Sequence, residues 1–276
     1  MRLKRTSFFV GMILLISFSI PAFVAGALNV KPQQVTFVNS QGIRLTGRVF
    51  KPDGNGPFPA VVMMPGCMGA YAYGTGAKEI SSMYLEWGDR LVTAGYVALL
   101  VDSQDQCGNS TTGRSEINIR PYDAYAGLNY LVTQSYVAAD KVGVMGWSHG
   151  GSSVMAAMDE SQSVDEAQFK AAVAFYPGCT FGNALGVLKH STWKPYAPLV
   201  IVQGSVDAIT DPAACTARVT GAQQLGVTNV TINTFEDAQH RFDGATKAED
   251  GFTQLDVDAK IAADAQVLHF FETHLP

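Results

Sequence analysis

What this 276-residue chain has little of narrows it first. Charge is sparse, at 16% of residues, and shows no basic excess: 19 Lys and Arg stand against 24 Asp and Glu. With no basic stripe and no polybasic run, there is no electrostatic footprint for nucleic acid or an anionic membrane surface. Cysteine is limited to Cys67, Cys107, Cys179 and Cys215. No pair has C-x-x-C spacing, which speaks against the common zinc and thioredoxin patterns, and no metal or cofactor is expected. No repeat, low-complexity tract or linker divides the chain, so a single domain is expected over residues 28–276. Beyond residue 27 no apolar run is long enough for a membrane span.

What is present begins with a leader. Arg2, Lys4 and Arg5 form a positive start, residues 8–20 are apolar, and Ala25-Gly26-Ala27 offers small residues for cleavage. This pattern predicts a signal peptide over residues 1–27 and export to the periplasm or the medium. In an oxidising compartment the four cysteines predict two disulfides, and spacing alone leaves all three pairings open.

The remainder is 47% hydrophobic over the whole chain, enough for one large core. Residues 34–38 and 45–50 alternate around Asn39-Ser40-Gln41-Gly42, as an antiparallel hairpin would. Short apolar runs at 58–64, 96–101, 142–147, 171–175, 199–202 and 230–235 read as buried strands. Helical segments are expected at 80–94, 121–133, 152–158, 213–225 and 259–271. Apolar strands alternating with helices predict an α/β fold: a mostly parallel sheet covered on both faces, with its site at the strands' C-terminal edge. The long connection at 180–198 carries Trp193 and Tyr196 and is read as a small flap over that site.

Chemistry concentrates in Val142-Gly143-Val144-Met145-Gly146-Trp147-Ser148-His149-Gly150-Gly151. An apolar strand stops at a glycine, a serine follows two places on, and further glycines open a helix. This G-x-S-x-G pattern is a nucleophile elbow, in which a sharp turn exposes the serine hydroxyl. A serine needs a base to take its proton and a carboxylate to orient that base. In this architecture the order is serine, acid, histidine.

Asp207, in the Gly204-Ser205-Val206-Asp207 turn after a strand, is the expected acid. Asp211 is its runner-up, and Glu236 and Asp237 are weaker candidates. Among five histidines, His240 follows the last strand and can return over the sheet edge, so it is the expected base. His149 is too close to Ser148 to act through its ring; His190 has no assigned role; His269 and His274 sit in the terminal helix. The oxyanion needs two backbone donors, expected from His149 and from Pro65-Gly66-Cys67-Met68-Gly69. There Cys67 is preferred and Met68 is the alternative. Tyr71, Tyr73, Trp147 and Trp193 are either pocket lining or simple packing. Arg114 and Arg120 either meet a substrate carboxylate or, the blander reading, belong to a solvated face.

With these stretches in view, the chain resembles the dienelactone hydrolase family of α/β-hydrolases. The resemblance is carried by residues 59–67, 95–103, 146–151, Gly204-Ser205-Val206-Asp207 and Gln239-His240-Arg241-Phe242-Asp243. It implies a triad of Ser148, Asp207 and His240. It also implies a strand order that sets the Cys67 and Cys107 loops side by side, and likewise Cys179 and Cys215, giving Cys67–Cys107 and Cys179–Cys215 disulfides. The family's namesakes use a cysteine nucleophile and a glutamate in the oxyanion loop, where this chain has Ser148 and Pro65-Gly66. That difference points away from dienelactone and toward small carboxylic esters in general. A peptidase or acyltransferase on the same scaffold, and a non-catalytic binding protein, are the alternatives. The filled serine, acid and histidine positions speak against the last.

Overall fold

A computed structural model describes residues 30–72, 79–103, 120–162, 167–180, 193–248 and 251–276. The expected signal peptide, Tyr73, Cys107, Arg114 and His190 lie outside these residues, and so does the Cys67–Cys107 pairing.

Gln33–Val38 (β1) and Arg44–Phe50 (β2) form the hairpin, its turn held by the Asn39 side chain, which accepts from the Gln41 and Ile43 amides. Six further strands follow: Phe58–Met64 (β3), Val97–Asp102 (β4), Val137–Trp147 (β5), Ala172–Phe175 (β6), Leu199–Gly204 (β7) and Val230–Phe235 (β8). The helices are Ser82–Thr93 (α1), Arg120–Val132 (α2), His149–Ala157 (α3), Pro212–Gln224 (α4) and Gln254–His274 (α5). The last begins earlier than its apolar spacing predicts. Thr253 and Asp256 make a reciprocal capping box that starts it.

The strands join in the order β1-β2-β4-β3-β5-β6-β7-β8, antiparallel at β1–β2 and β2–β4 and parallel elsewhere. This is the α/β-hydrolase arrangement that the sequence led us to expect. Every residue of β4, β6 and β7 is buried. That explains why they read as continuous apolar runs rather than as alternation. The period-2 pleat nevertheless sorts them. Val62, Leu99, Val144, Ala174 and Ile201 face α2, α3 and α4, while Val61, Leu100, Met145, Val173 and Val202 face α1 and α5. Burying each such side chain contributes about 1.5–3 kcal/mol. The sheet is therefore a rigid platform, and the connections leaving β3, β5, β7 and β8 gather at its C-terminal edge.

Cys179, after β6, is bonded to Cys215 of α4, with an S–S distance of 2.04 Å. No described cysteine is free. The bridge spans 36 residues, a loop for which chain entropy predicts a contribution of about 2–4 kcal/mol. A Cys179→Ala/Cys215→Ala variant should accordingly melt roughly 5–15 °C below wild type. Calorimetry at one scan rate checks this, and a shift of only about 1 °C would contradict it.

Residues 193–198, the described end of the connection expected to form a flap, pack elsewhere. Trp193 Nε1 donates to Met155 O (2.9 Å), Tyr196 N to Met158 O (3.0 Å), and the Tyr196 hydroxyl meets that of Tyr125 (3.1 Å). Met155 and Met158 lie at the far end of α3 from Ser148, and Tyr125 lies on α2. Trp193 and Tyr196 thus form a seam between that connection and the helices, and residues 181–192 of the connection lie outside the described residues.

Candidate functional site

The elbow is built by close approach. A side chain at Gly150 would put its first carbon 2.1 Å from Met64 O, and one at Gly146 would stand 2.5 Å from Gly150 O. Neither position tolerates a side chain without moving backbone, so the β5–α3 turn is as tight as its sequence implied. Ser148 sits there at φ 53° and ψ −117°, a strained conformation, with its amide donating to Phe175 O (2.9 Å). Among the described residues, the non-glycine positions with positive φ are Ser148, Tyr176, Asp237 and Arg241. All four belong to the elbow or to the loops around His240. Strain of this kind persists only where surrounding structure holds it, and it concentrates at working sites.

The structure brings Ser148, His240 and Asp207 together. Ser148 Oγ lies 3.1 Å from His240 Nε2, and His240 Nδ1 lies 2.7 Å from Asp207 Oδ2. Asp207 is buried and well served. Its Oδ1 accepts from the Ile209 and Thr210 amides at 2.8 and 2.9 Å. Its Oδ2 accepts from Thr210 Oγ1 at 2.7 Å and Gln203 Nε2 at 3.0 Å. Burial alone would raise its pKa, but the bonds from His240 and Thr210 outweigh it and hold the carboxyl below the usual aspartate value. Asp211 does something different. It caps α4, accepting from Ala213 N at 2.9 Å, with Pro212 beginning the helix. The carboxylate on His240 Nδ1 is that of Asp207 rather than Glu236 or Asp237; the Asp237 amide donates to Ser205 Oγ (2.8 Å) and ties the acid turn to the histidine loop.

His149 is buried at the first position of α3, and its ring is turned away from Ser148 onto Arg120. In the β3 loop, Gly66 N donates to the Tyr84 hydroxyl (2.9 Å) and Gly69 N to Gly66 O (3.1 Å). Those two amides are engaged within the protein, so neither is the oxyanion donor expected from this loop. Burial pushes the Tyr84 phenol up to about 12, so it stays neutral while it accepts from Gly66. The loop abuts the elbow: a Cβ on Gly66 would lie 3.6 Å from that of Ser148.

One residue departs from the sequence reading. Arg120 is completely buried rather than solvated, and its partners are protein groups. Trp147 is buried packing, its Nε1 donating to Asp243 Oδ2 at 2.7 Å. Asp243, three residues after His240, carries no role that the sequence signals. Its carboxylate is fully buried and also accepts from Trp87 Nε1 (3.0 Å) and the Tyr176 hydroxyl (2.5 Å). Burial and the Asp243 charge hold the Tyr176 phenol well above its usual pKa, and its ring lies 4.6 Å from that of His240. Tyr71 is only half-buried, its phenol raised first by burial and then by Asp102. Among the described residues no three His, Cys, Asp or Glu side chains converge as a metal site, and no helix is long and apolar enough to cross a membrane.

Comparison with known proteins adds a family. Residues 45–275 match the model of the dienelactone hydrolase family. A dienelactone hydrolase-like promiscuous phosphotriesterase from metagenomic libraries superposes with a TM-score of 0.67 at 18% identity, over 89% of this chain and 99% of that one. A Pyrococcus furiosus esterase superposes with a TM-score of 0.62 at 15% identity, over 90% and 94%. In sequence, the chain is 28% identical over 160 residues to dipeptidyl peptidase 8 of Mus musculus. That match covers 53% of this chain but spans only 17% of the mouse protein's length.

Proposed function

Because the chain belongs to the dienelactone hydrolase family, and is on that ground a hydrolase, we propose that it is a serine esterase cleaving small carboxylic esters through an acyl-enzyme on Ser148. The observation that carries this reading is the unbroken hydrogen-bond chain Ser148 Oγ–His240 Nε2–His240 Nδ1–Asp207 Oδ2 at 3.1 and 2.7 Å. His240 takes the Ser148 proton as Oγ attacks the acyl carbonyl. The negative charge gathers on the former carbonyl oxygen, met by the N–H groups of His149 and Cys67. Collapse breaks the bond to the leaving oxygen, which receives the proton from His240. A water then repeats the sequence, releasing the carboxylic acid and restoring Ser148. Asp207 keeps the Nδ1 proton in place and stabilises the imidazolium formed at each transfer.

Ser148 in place of the namesakes' cysteine favours general esters over dienelactone. The low identity to a peptidase gives amide cleavage as the second reading. Export of a single domain over residues 28–276 completes the proposal, supported by the leader pattern and by the Cys179–Cys215 disulfide.

Reaction with a fluorophosphonate probe tests the core of it. Wild-type protein is expected to label stoichiometrically, and Ser148→Ala not at all. Hydrolysis of short p-nitrophenyl esters without release from dipeptidyl p-nitroanilides would select esterase over peptidase. A folded wild type that neither labels nor hydrolyses would move the chain to the non-catalytic reading.

A further inference from the structure

Arg120 sits beneath the site and touches three loops at once. It is the first residue of α2 and is wholly buried. Its Nε and Nη2 donate to Ser103 Oγ, directly after β4, at 3.1 and 2.9 Å. Nη2 also donates to Pro65 O, directly after β3, at 2.6 Å. Nη1 meets His149 Nδ1, directly after β5, at 2.6 Å. These three strands are neighbours in the order β4-β3-β5. One planar cation therefore fastens together the C-terminal ends of three adjacent strands.

Guanidinium carries donors only, so His149 Nδ1 must accept, which puts the ring proton on Nε2. A buried arginine is retained where its fork matches several acceptors in fixed geometry, which a lysine's single ammonium does not reproduce. What it grips here matters. Its oxygen partner belongs to the Pro65–Gly66 peptide, whose N–H is held from the other side by Tyr84 at 2.9 Å. That peptide plane is pinned at both ends, one residue before Cys67. Its nitrogen partner is the ring of His149, whose own amide is the other oxyanion donor in our reading. The two donor segments also meet directly: a Cβ at Gly150 would lie 2.5 Å from Pro65 O.

The geometry points to Arg120 as the positioning residue of the oxyanion hole, a buried clamp on Pro65 O and His149 Nδ1 that sets the separation of the Cys67 and His149 amides. This rests on the esterase reading, since it needs an oxyanion to be held. Arg120 touches no substrate. Its effect is to keep two amides where the charge develops, so that they do not have to be ordered during the reaction.

The test compares wild type, Arg120→Met and Arg120→Lys on a p-nitrophenyl ester, with kcat expressed per active site titrated by a fluorophosphonate. Misplaced donors are expected to lower kcat about 10- to 100-fold while KM moves less than about twofold. Affinity for an aryl trifluoromethyl ketone, which forms a tetrahedral oxyanion on serine, should fall in parallel. Lysine should recover only part of the loss, because it cannot hold both acceptors. A merely structural role would reduce the number of titratable sites and leave kcat per site alone; that result overturns the proposal. Should neither variant fold, nitrogen NMR of the wild-type protein at pH 7 decides. An unprotonated His149 Nδ1 is expected, and a protonated one breaks the link to Arg120. A wild type inert to fluorophosphonate and esters removes the esterase reading and this inference together. An active wild type with unaffected Arg120 variants removes this inference alone.

Discussion

Changing His240 to alanine is expected to lower kcat for a p-nitrophenyl ester by about 10^5- to 10^6-fold, equivalent to roughly 7–8 kcal/mol of transition-state stabilisation. The size follows from what is lost. A serine hydroxyl is scarcely ionised at neutral pH, and the base that lies on Ser148 Oγ among the described residues is His240 Nε2, at 3.1 Å. Asp207→Asn should cost less, about 10^4-fold, because the ring remains but its tautomer is no longer fixed. Asparagine can turn its amide nitrogen toward Nδ1, and then Nε2 carries the proton and cannot accept from serine. Folding should survive the histidine change, since His240 is partly exposed, whereas Asp207 holds its own turn through four hydrogen bonds, from Gln203, Ile209 and, twice, Thr210. Steady-state kinetics together with thermal melting checks both. A loss below about tenfold in folded His240→Ala would remove His240 from the role of base. The Asp207 carboxyl, held below its unfolded value of 3.8, contributes stability above that pH and loses it as pH falls further. Activity near neutral pH should therefore show no titration from Asp207.

The residues that were legible in the sequence are those whose signal is local. Gly146, Ser148 and Gly150 announce the elbow because a sharp strand-to-helix turn excludes side chains at fixed offsets. Asp207 and His240 follow from chain order, each just past its own strand. Asp211 competed with Asp207 only because the turn's length is invisible in sequence; its use as a cap for α4 becomes apparent once Pro212 is seen to begin the helix. Arg120 and Asp243 were not legible, for one shared reason. Each is a buried charge whose partners come from three separate elements, so neither neighbouring residues nor periodicity marks it. In sequence Arg120 stands in the loop after Asp102, where a cation reads as part of a solvated face or as a partner for a substrate carboxylate. Trp147 was open between pocket lining and packing, and it packs: its ring stacks on Phe175 at 5.8 Å between centroids.

Asp243→Ala should cost about 3–6 kcal/mol and lower Tm by roughly 10–20 °C. The carboxylate is buried with no charged side chain donating to it among the described bonds; its oxygens are met by Trp87, Trp147 and Tyr176. Removing it strands three buried donors contributed by α1, the end of β5 and the residue after β6, each worth about 1–3 kcal/mol when left unmet. It also empties space at the centre of the α1–α5 face, beside the backbone that Lys260 Nζ holds through Asp243 O at 2.6 Å. The effect should reach the chemistry. Asp243 lies three residues after His240, and it fixes Tyr176, whose ring packs on His240. Molecules that remain folded should therefore turn over more slowly per titrated site, not merely be fewer. Asp243→Asn keeps the volume and one acceptor oxygen, so it should fall between alanine and wild type in both Tm and kcat. Calorimetry with active-site titration separates the two effects. A Tm for Asp243→Ala within about 3 °C of wild type would mean that the three donors find other partners. In that case the order of the histidine loop would have to come instead from Gln239, whose amide and side chain bind Asp256 at 2.8 and 2.9 Å.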